Sequence, residues 1–315
     1  VYKRERLWVM KKYIGIDIGG TTIKAGIVNE KGQILYKMVE QSNINNYQVP
    51  LINVIKKIAK KITSYAADND IDIEGIGVSA AGQIDNKNGV VIGDCGNIPG
   101  WKGTHLKAEI EKVTNLDVIV ENDANCVALA EHWVGSGKGF KNMIAYTIGT
   151  GIGGGIILED KIFFGSIGIA GEIGHIVLKK DGRQCTCGNK GCFEQYGSMT
   201  ALIREVRKVA GNQFTEINGK IIFEEAKKGN KEIVKCIDSF LDYNAAGIVT
   251  LLHIFNPQAI IIGGGVSQQG RIIIKPLIEK VRAKAMPAFF KNVVITTAKL
   301  SNDAGMIGAV KNFME

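Results

Sequence analysis

The sequence lacks the features of membrane-inserted and secreted chains. It contains no run approaching the ~18 consecutive apolar residues that a membrane-spanning helix requires. Residues 1–9 carry charges and have no apolar core like that of a secretory signal peptide. The pattern of the domain begins just after Met10. We therefore expect Met10 to be the natural start, residues 1–9 to be an extension, and the protein to be cytoplasmic.

Cysteine is scarce and unevenly placed. The six cysteines are Cys95, Cys126, Cys185, Cys187, Cys192 and Cys236. Three of them crowd into one short segment and three stand alone, which is not the spacing of a disulfide framework. This distribution predicts a reducing compartment and a single metal site.

The chain also lacks the GxxxxGK[ST] stretch of P-loop proteins, which excludes that class of phosphate site. Its 315 residues are 45% hydrophobic and 22% charged, an ordinary globular composition that allows one large domain or two of medium size. The net charge of +8 suits anionic ligands such as nucleotides and also suits nucleic acid. A solvated lysine-rich surface is the simpler explanation of that charge.

The order of apolar segments contains an internal repeat. Residues 13–18, 22–29 and 33–40 predict a three-stranded antiparallel meander whose first turn is rich in glycine. The same pattern begins again with residues 143–148, a glycine run at 149–155, a strand at 156–159 and a third strand at 161–164. Such a repeat predicts two domains with similar cores.

Strands and helices alternate outside the two meanders. We predict helices at residues 51–67, 124–133, 199–210, 223–228, 233–253 and 271–285, and strands at 75–79, 118–120, 259–262 and 293–300. This alternation predicts an α/β fold. We place the first domain at residues 10–122 together with a C-terminal helix at about 302–315, and the larger second domain at 123–301.

The first motif is the glycine turn that follows Asp17. Glycine lets the backbone approach a phosphate closely, and the N–H groups and hydroxyls of Gly19, Gly20, Thr21 and Thr22 can donate to its oxygens. An aspartate beside a polyanion is explained if Asp17 holds Mg²⁺ through water. A tight hairpin turn with an unrelated aspartate is the alternative.

The second glycine run contains a GxGxxG match at Gly149, Gly151 and Gly154. A dinucleotide-binding fold requires a helix directly after this motif, whereas residues 156–159 predict a strand. We therefore reject that interpretation and predict a second phosphate-binding turn. Its candidate contacts are Thr150, Gly151, Gly153 and Gly154.

Asn122 and Asp123 lie between a predicted strand and a predicted helix. Both residue types favour the N-cap of a helix, and an ordinary cap explains them when they are taken alone. In the functional interpretation, Asp123 accepts the proton of an attacking hydroxyl, and phosphoryl transfer asks little more of a base than this positioning.

The most specific motif combines His175 with Cys185, Cys187 and Cys192. Three thiolates and one imidazole form a Cys₃His set for tetrahedral zinc, and with no open coordination position the zinc would be structural. Free thiols and a redox switch are the alternatives.

Polar residues near this set could bind a sugar. Glu172, His175 and Glu194 offer acceptors for several hydroxyls, on a loop that zinc would hold in place. Surface carboxylates are the alternative. Later in the chain, Gly264 and Gly265 follow a strand, where they could form the adenine side of a nucleotide site or a plain turn.

Together these motifs resemble the ROK family (repressor, open reading frame, kinase) of the actin-like ATPase superfamily. The matching stretches are residues 16–22, 121–125, 149–155, 170–175 and 185–194. The resemblance implies two ribonuclease-H-like domains with an interdomain cleft that closes on ATP–Mg²⁺ and a sugar, in a homodimer or homotetramer. It implies Asp123 as catalytic base, with sugar contacts from Asn97, Asn122, Asp123, Glu172, His175 and Glu194.

The resemblance also implies phosphate contacts from residues 19–22 and 150–154. The stretch 97–101 is similar to a loop of the glucokinase branch of the family. Thr22 departs from the pattern, because many relatives carry lysine there, and Lys24 comes two residues later. We therefore assign no phosphate-binding lysine.

The family also contains repressors with a DNA-binding domain before the first glycine turn, for which the sequence before Asp17 has no room. We therefore expect an enzyme with no nucleic-acid or membrane partner, using ATP, Mg²⁺ and a structural Zn²⁺. The expected reaction converts glucose to glucose 6-phosphate. The alternatives are a kinase for N-acetylmannosamine, fructose or a β-glucoside, and a sugar-sensing protein without catalysis.

Overall fold

The computed structural model describes residues 10–42, 46–93, 98–211, 214, 216–269 and 271–315. Its strands are β1 Lys12–Ile18, β2 Thr22–Asn29, β3 Ile34–Gln41, β4 Ile76–Ala80, β5 Ile84–Asp85, β6 Val90–Val91, β7 Val118–Asn122, β8 Met143–Ile148, β9 Ile152–Leu158, β10 Lys161–Ile162, β11 Ala259–Gly263 and β12 Val294–Thr297. Its helices are α1 Leu51–Asp68, α2 Leu106–Thr114, α3 Asp123–Val134, α4 Glu194–Gly197, α5 Met199–Ala210, α6 Gly219–Lys227, α7 Lys231–Phe255, α8 Arg271–Lys284, α9 Pro287–Phe290 and α10 Ala304–Met314.

The chain divides into two compact units. The first comprises the described residues up to Val134 together with Asp303–Glu315, and the second comprises Gly135–Asn302. The division therefore falls after α3, later than the predicted division after residue 122. Helix α3 stays with the first unit because it packs closely against α10, where a Cβ added to Gly308 would lie 1.7 Å from the carbonyl oxygen of Cys126.

In the first unit, a five-stranded sheet has the order β3-β2-β1-β4-β7. Strands β1, β2 and β3 form the predicted antiparallel meander, and β4 and β7 continue the sheet in parallel. All residues of β4 are buried, as expected of a parallel strand covered on both faces. The sheet places the ends of β1, β4 and β7 side by side, which positions the candidate residues that follow them.

The second unit repeats this topology. Its five-stranded sheet has the order β10-β9-β8-β11-β12, with β8 and β9 antiparallel and with β11 and β12 added in parallel. The strands β8, β9 and β10 therefore correspond to β1, β2 and β3. The internal repeat that the sequence predicts is confirmed at the level of strand order.

Helices cover the two sheets and form separate cores. Helix α1 places Val54, Ile55, Ile58 and Ile62 on one buried face, as its helical periodicity predicts. On the other side of the same sheet, α10 approaches so closely that a Cβ added to Gly77 would lie 2.0 Å from the carbonyl oxygen of Ala309. The core of the second unit is built largely from α5, α7, α8 and the sheet strands.

Several elements differ from the predictions, and three of them bear on the candidate site or on how the fold was predicted. Strand β9 begins at Ile152, so Gly153 and Gly154 lie in a strand and not in the turn. Strand β10 ends at Ile162 and not at residue 164. Helix α2 was missed because its buried residues are only Leu106, Ile110 and Thr114, which leave too short an apolar pattern to recognise. Among the described residues, no helix is long and apolar enough to cross a membrane.

Candidate functional site

The first glycine turn joins the end of β1 to the start of β2, two inner strands of the first sheet. The N–H of Gly19 donates to the carbonyl of Thr22 at 3.0 Å, which closes the turn and leaves Gly20 and Thr21 exposed. Two contacts from outside the hairpin hold it: Tyr47 Oη donates to the Gly20 carbonyl at 2.7 Å, and Ser42 N–H donates to the Thr21 carbonyl at 2.9 Å. The turn is therefore a supported backbone structure with exposed peptide groups.

Asp17 lies on the strand that leads into this turn. It faces Lys24 on β2 and Ser79 on β4 in the sheet register. Ser79 Oγ donates to Oδ1 at 2.9 Å, and Lys24 Nζ lies 3.3 Å from Oδ2. Lys24, to which the sequence assigned no role, is thus the cation beside Asp17. Helix α10 begins next to the same carboxylate, since a Cβ added to Gly305 would lie 2.4 Å from Oδ1.

Asn122 and Asp123 occupy the junction between β7 and α3. The Asn122 side-chain oxygen accepts from the N–H groups of Ala124 at 2.9 Å and Asn125 at 3.2 Å, and its amide donates to the Gly82 carbonyl at 3.0 Å. Asn122 is therefore the N-cap of the helix. Asp123 Oδ1 also accepts from Ala124 N–H, at 2.8 Å. The junction fixes the carboxylate of Asp123 at the positive end of the α3 dipole.

Glu121, which the sequence analysis missed, is fully buried directly before this junction. Its carboxylate accepts from the N–H of Asn122 at 2.8 Å and from the side-chain amides of Asn125 at 2.8 Å and Asn86 at 3.3 Å. Burial raises the pKa of Glu121 above its ordinary value, against the opposing effect of these hydrogen bonds. In the sequence, Glu121 is recognisable only as a glutamate that follows a short apolar strand, and its buried hydrogen bonds depend on the fold.

The second glycine turn joins β8 to β9 in the other unit. Gly149 N–H donates to the Gly151 carbonyl at 3.0 Å. The turn ends before Gly153 and Gly154, so these two residues do not form it. Position 154 of strand β9 requires glycine because a Cβ there would lie 2.6 Å from the side chain of Ile173, in the 3₁₀ turn Ile173–His175 that packs on β9. A strand, and not a helix, begins within the glycine run, which agrees with the rejection of a dinucleotide-binding motif.

Gly264 lies beside this second turn. It follows β11, has a φ of +81°, and a Cβ there would lie 2.2 Å from the carbonyl oxygen of Ile148, the last residue of β8. Gly265 begins the 3₁₀ helix Gly265–Gln269. The sheet thus brings together two glycine segments that are far apart in the chain. Asn97 lies outside the described residues.

His175, Cys185, Cys187 and Cys192 converge in the second unit. Their ligand atoms all lie within 4.8 Å of one another. Cys185 Sγ is 3.6 Å from His175 Nδ1, and the Sγ atoms of Cys187 and Cys192 are 3.6 Å apart. A tetrahedral zinc with Zn–S of about 2.3 Å and Zn–N of about 2.0–2.1 Å spaces its ligands by roughly 3.5–3.8 Å. These residues therefore fit a Cys₃His zinc site, with Nδ1 as the histidine ligand.

The thiols of this cluster perturb one another. Burial raises the pKa of Cys185, but hydrogen bonds from the backbone and thiol of Cys187 outweigh it and lower the pKa to about 7. Burial and the neighbouring thiols raise the pKa of Cys192 to about 12. Three thiolates this close repel one another unless a cation lies between them, which is the charge balance that a zinc ion supplies.

Of the candidate sugar contacts, His175 belongs to the metal cluster, and Glu172 and Glu194 lie close in sequence to its ligands. His175 Nε2, the nitrogen that faces away from the cysteines, is 3.8 Å from Glu172 Oε2. Glu194 follows Cys192 by two residues, and its Oε2 accepts from the N–H of Ile152 at 3.3 Å. A Cβ added to Gly151 would lie 2.3 Å from the same oxygen. Glu194 therefore packs directly on the second glycine turn.

Comparison with known proteins identifies the family. Residues 13–314 match the profile of the ROK family. The chain belongs to the ROK family. The predicted family and its α/β actin-like ATPase fold class are thereby confirmed.

The chain is similar to several sugar kinases of this family over nearly its whole length. It is 36% identical to the glucokinase of Thermotoga maritima, over 96% of this chain and 98% of that protein. It is 32% identical to the β-glucoside kinase of Listeria monocytogenes, over 96% of this chain and 98% of that protein. The ROK family glucokinase of Streptomyces griseus, solved with glucose and AMPPNP, is 35% identical with a TM-score of 0.79, covering 95% of this chain and 97% of that one.

Proposed function

We propose that this protein is an ATP-dependent hexose kinase that converts glucose to glucose 6-phosphate. The observation that carries the proposal is its 36% identity to a glucokinase over 96% of the chain. The glycine turns, the Asp123 junction and the Cys₃His cluster are all consistent with that activity.

In this proposal, Asp123 is the catalytic base. The transferred phosphoryl group passes through a loose transition state, so the base mainly orients the attacking hydroxyl and accepts its proton late. The capping contacts that fix Asp123 at the start of α3 support this role. Sugar contacts are assigned to Asn97, Asn122, Asp123, Glu172, His175 and Glu194.

The nucleotide is assigned to the two glycine turns. Gly19, Gly20, Thr21 and Thr22 in one turn and Thr150 and Gly151 in the other would contact phosphate oxygens, with Gly264 and Gly265 on the adenine side. Gly153 and Gly154 would act indirectly, since they lie in β9. Asp17 would hold Mg²⁺ through water, and Mg²⁺ would neutralise charge on the phosphates.

Zinc is assigned a structural role at His175, Cys185, Cys187 and Cys192. The set supplies four protein ligands, so the metal would have no open position for substrate. Its contribution would be to order the loop that carries Glu172 and Glu194.

A coupled ADP-release assay with ATP–Mg²⁺ tests the proposal against glucose, mannose, fructose, N-acetylglucosamine, N-acetylmannosamine and cellobiose. We expect strong turnover on glucose. Turnover on cellobiose in place of glucose would favour the second candidate, a β-glucoside kinase, which the 32% identity to such an enzyme supports. Glucose binding without turnover of any of these sugars, with either ATP or polyphosphate as donor, would contradict both candidates and favour a sugar sensor.

A further inference from the structure

Each of the two glycine turns accepts a hydrogen bond from a side-chain hydroxyl, at the equivalent carbonyl, and the sequence does not reveal either bond. In the first turn, Tyr47 Oη donates to the carbonyl of Gly20 at 2.7 Å. In the second turn, Thr200 Oγ1 donates to the carbonyl of Thr150, also at 2.7 Å. Gly20 and Thr150 are equivalent positions, because each is the second residue after the strand, β1 or β8, that begins its meander.

Each hydroxyl comes from outside the hairpin that it contacts. Tyr47 precedes α1, and Thr200 is the second residue of α5. The two side chains are unrelated in type and in sequence context, yet each reaches the same carbonyl of its turn. A second backbone contact accompanies each bond, from Ser42 N–H to the Thr21 carbonyl at 2.9 Å and from Met199 N–H to the Gly149 carbonyl at 3.0 Å.

Holding a carbonyl also orients the next N–H. The peptide unit is planar and trans, so its C=O and N–H point in opposite directions. With the Gly20 carbonyl bound to Tyr47, the N–H of Thr21 points away from that side chain. With the Thr150 carbonyl bound to Thr200, the N–H of Gly151 is fixed in the same way. In the described part of the chain, the structure gives neither N–H an acceptor.

The backbone at Tyr47 is strained, and its side chain packs partly buried against the core of the first unit. Tyr47 has a φ of +63° and the preceding Asn46 has a φ of +54°. A bulky side chain in the left-handed region costs free energy and persists where its surroundings hold it there. The Tyr47 hydrogen bond is exposed to solvent, and such a bond contributes little net stability. Strain of this kind is typical of segments that position a functional group.

We propose that Tyr47 and Thr200 are positioning residues that preset the N–H groups of Thr21 and Gly151 for the phosphates of the nucleotide. This inference rests on the proposed kinase function and specifies how its two glycine turns are kept in a binding-competent conformation. Preorganisation lowers the cost of binding because the donors are ordered before the ligand arrives.

The test removes each hydroxyl while keeping the side-chain shape. Tyr47→Phe and Thr200→Val remove the hydroxyl donors. Thr200→Ser keeps the hydroxyl at position 200 and removes only the methyl group. Equilibrium dissociation constants for a non-hydrolysable ATP analogue with Mg²⁺ and for glucose are measured separately, together with the thermal midpoint. We expect nucleotide affinity to fall between about two-fold and ten-fold in each deletion variant. Glucose affinity should stay unchanged, and Thr200→Ser should retain nucleotide affinity.

Matched controls separate this role from a general loss of stability. Thr250→Val removes a hydroxyl that donates to the Ala246 carbonyl at 3.0 Å inside α7, far in sequence from either turn. Tyr36→Phe alters a tyrosine whose ring stacks on Tyr65. Both controls should bind nucleotide like the unmodified protein. Equal losses in the controls, or loss of both ligands in step with the thermal midpoint, would overturn the inference.

The outcomes also distinguish the inference from the proposed function. An unmodified protein that binds no nucleotide would refute the kinase proposal and the anion-binding role of both turns. An unmodified protein that binds nucleotide, with Tyr47→Phe and Thr200→Val binding equally well, would refute the positioning role alone.

Discussion

The contact between Gly151 and Glu194 gives the sharpest perturbation of the candidate site. A Cβ added to Gly151 would lie 2.3 Å from Glu194 Oε2, whereas ordinary van der Waals contact begins at 3.4 Å. The carboxylate must therefore retreat by about 1.1 Å in Gly151→Ala, and its hydrogen bond from Ile152 N–H, already 3.3 Å long, is lost. Neither Gly151 nor Gly149 has a φ in the left-handed region, so alanine fits the backbone at both.

The expected effect is large on function and small on stability. Replacing glycine by alanine at a compatible position stabilises a fold by about 0.4–1 kcal/mol, which roughly offsets the loss of one hydrogen bond worth about 1 kcal/mol. A displacement near 1 Å at a residue that positions substrate costs on the order of 10²-fold in activity. We therefore expect Gly151→Ala to remain folded while kcat/KM for glucose falls by roughly 10- to 100-fold, with weaker glucose binding.

Gly149→Ala is the matched control in the same turn, because a Cβ there meets nothing within 4 Å. Glucose affinity is measured by calorimetry without nucleotide, so that an effect on the phosphate site does not enter. The reasoning is refuted if Gly151→Ala binds glucose normally, which would separate Glu194 from the sugar. It is equally refuted if Gly149→Ala loses as much glucose affinity as Gly151→Ala.

The remaining predictions concern the base, the metal and a buried carboxylate. Asp123→Asn, which keeps the oxygen that caps Ala124 N–H, should lower kcat by roughly 10²- to 10⁴-fold with glucose affinity retained, and near-normal turnover would remove Asp123 from its role. Metal analysis should find one zinc per chain that is lost in Cys187→Ser and kept in Cys236→Ser; full activity of a zinc-free protein would contradict the site. Burial raises the pKa of Glu121 above 4.5, so the native state holds this proton more tightly than the unfolded state, and the stability it contributes is lost as pH rises through the folded-state pKa. Glu121→Gln should therefore gain stability relative to the unmodified protein as pH rises above 4.5 in denaturant titrations, whereas parallel pH profiles would show that the carboxylate is ionised without penalty.

Much of the fold could be predicted from the sequence because its strongest signals are local. Apolar strands followed by glycine repeat at β1 and β8, and this pattern alone predicts the two meanders. Helix α5 begins and ends at the predicted residues 199 and 210. The glycine run was partly misassigned because glycine signals a turn, whereas Gly154 is glycine for close packing against Ile173.

The parts of the candidate site that were not predicted depend on register and on tertiary contacts. Lys24 pairs with Asp17 because the two residues face each other across β1 and β2, which a one-residue shift of the hairpin would undo. Tyr47 and Thr200 belong to no motif. The role proposed for their hydroxyls follows only from the carbonyls to which they donate, and these contacts depend on the tertiary structure. The Cys₃His set was found because metal ligands keep a characteristic spacing along the chain.

The Cys₃His cluster lies in a segment with little regular secondary structure. Between β10 and α4, the described chain has one 3₁₀ turn and isolated bridges. Ile173 and Phe193 of this segment are buried, but Phe163, Ile167 and Val177 are 42%, 67% and 47% exposed. Burial offsets only part of the ordering entropy of such a segment, and the binding free energy of a metal would offset more of it.

The end of this segment connects the metal to the rest of the second unit. Cys192 is one of the four proposed zinc ligands. Phe193 is fully buried and packs so closely on Gly247 that a Cβ added there would lie 2.2 Å from the Phe193 ring. Glu194 contacts the glycine turn at Gly151. Because these three residues are consecutive, a displacement of Cys192 must move either the buried Phe193 or the backbone around it. Moving Phe193 opens a cavity in the core, so the backbone on either side is the softer element, and Glu194 moves with it. Loss of zinc should therefore affect sugar binding through Glu194 as well as through His175, which is both a proposed zinc ligand and a proposed sugar contact.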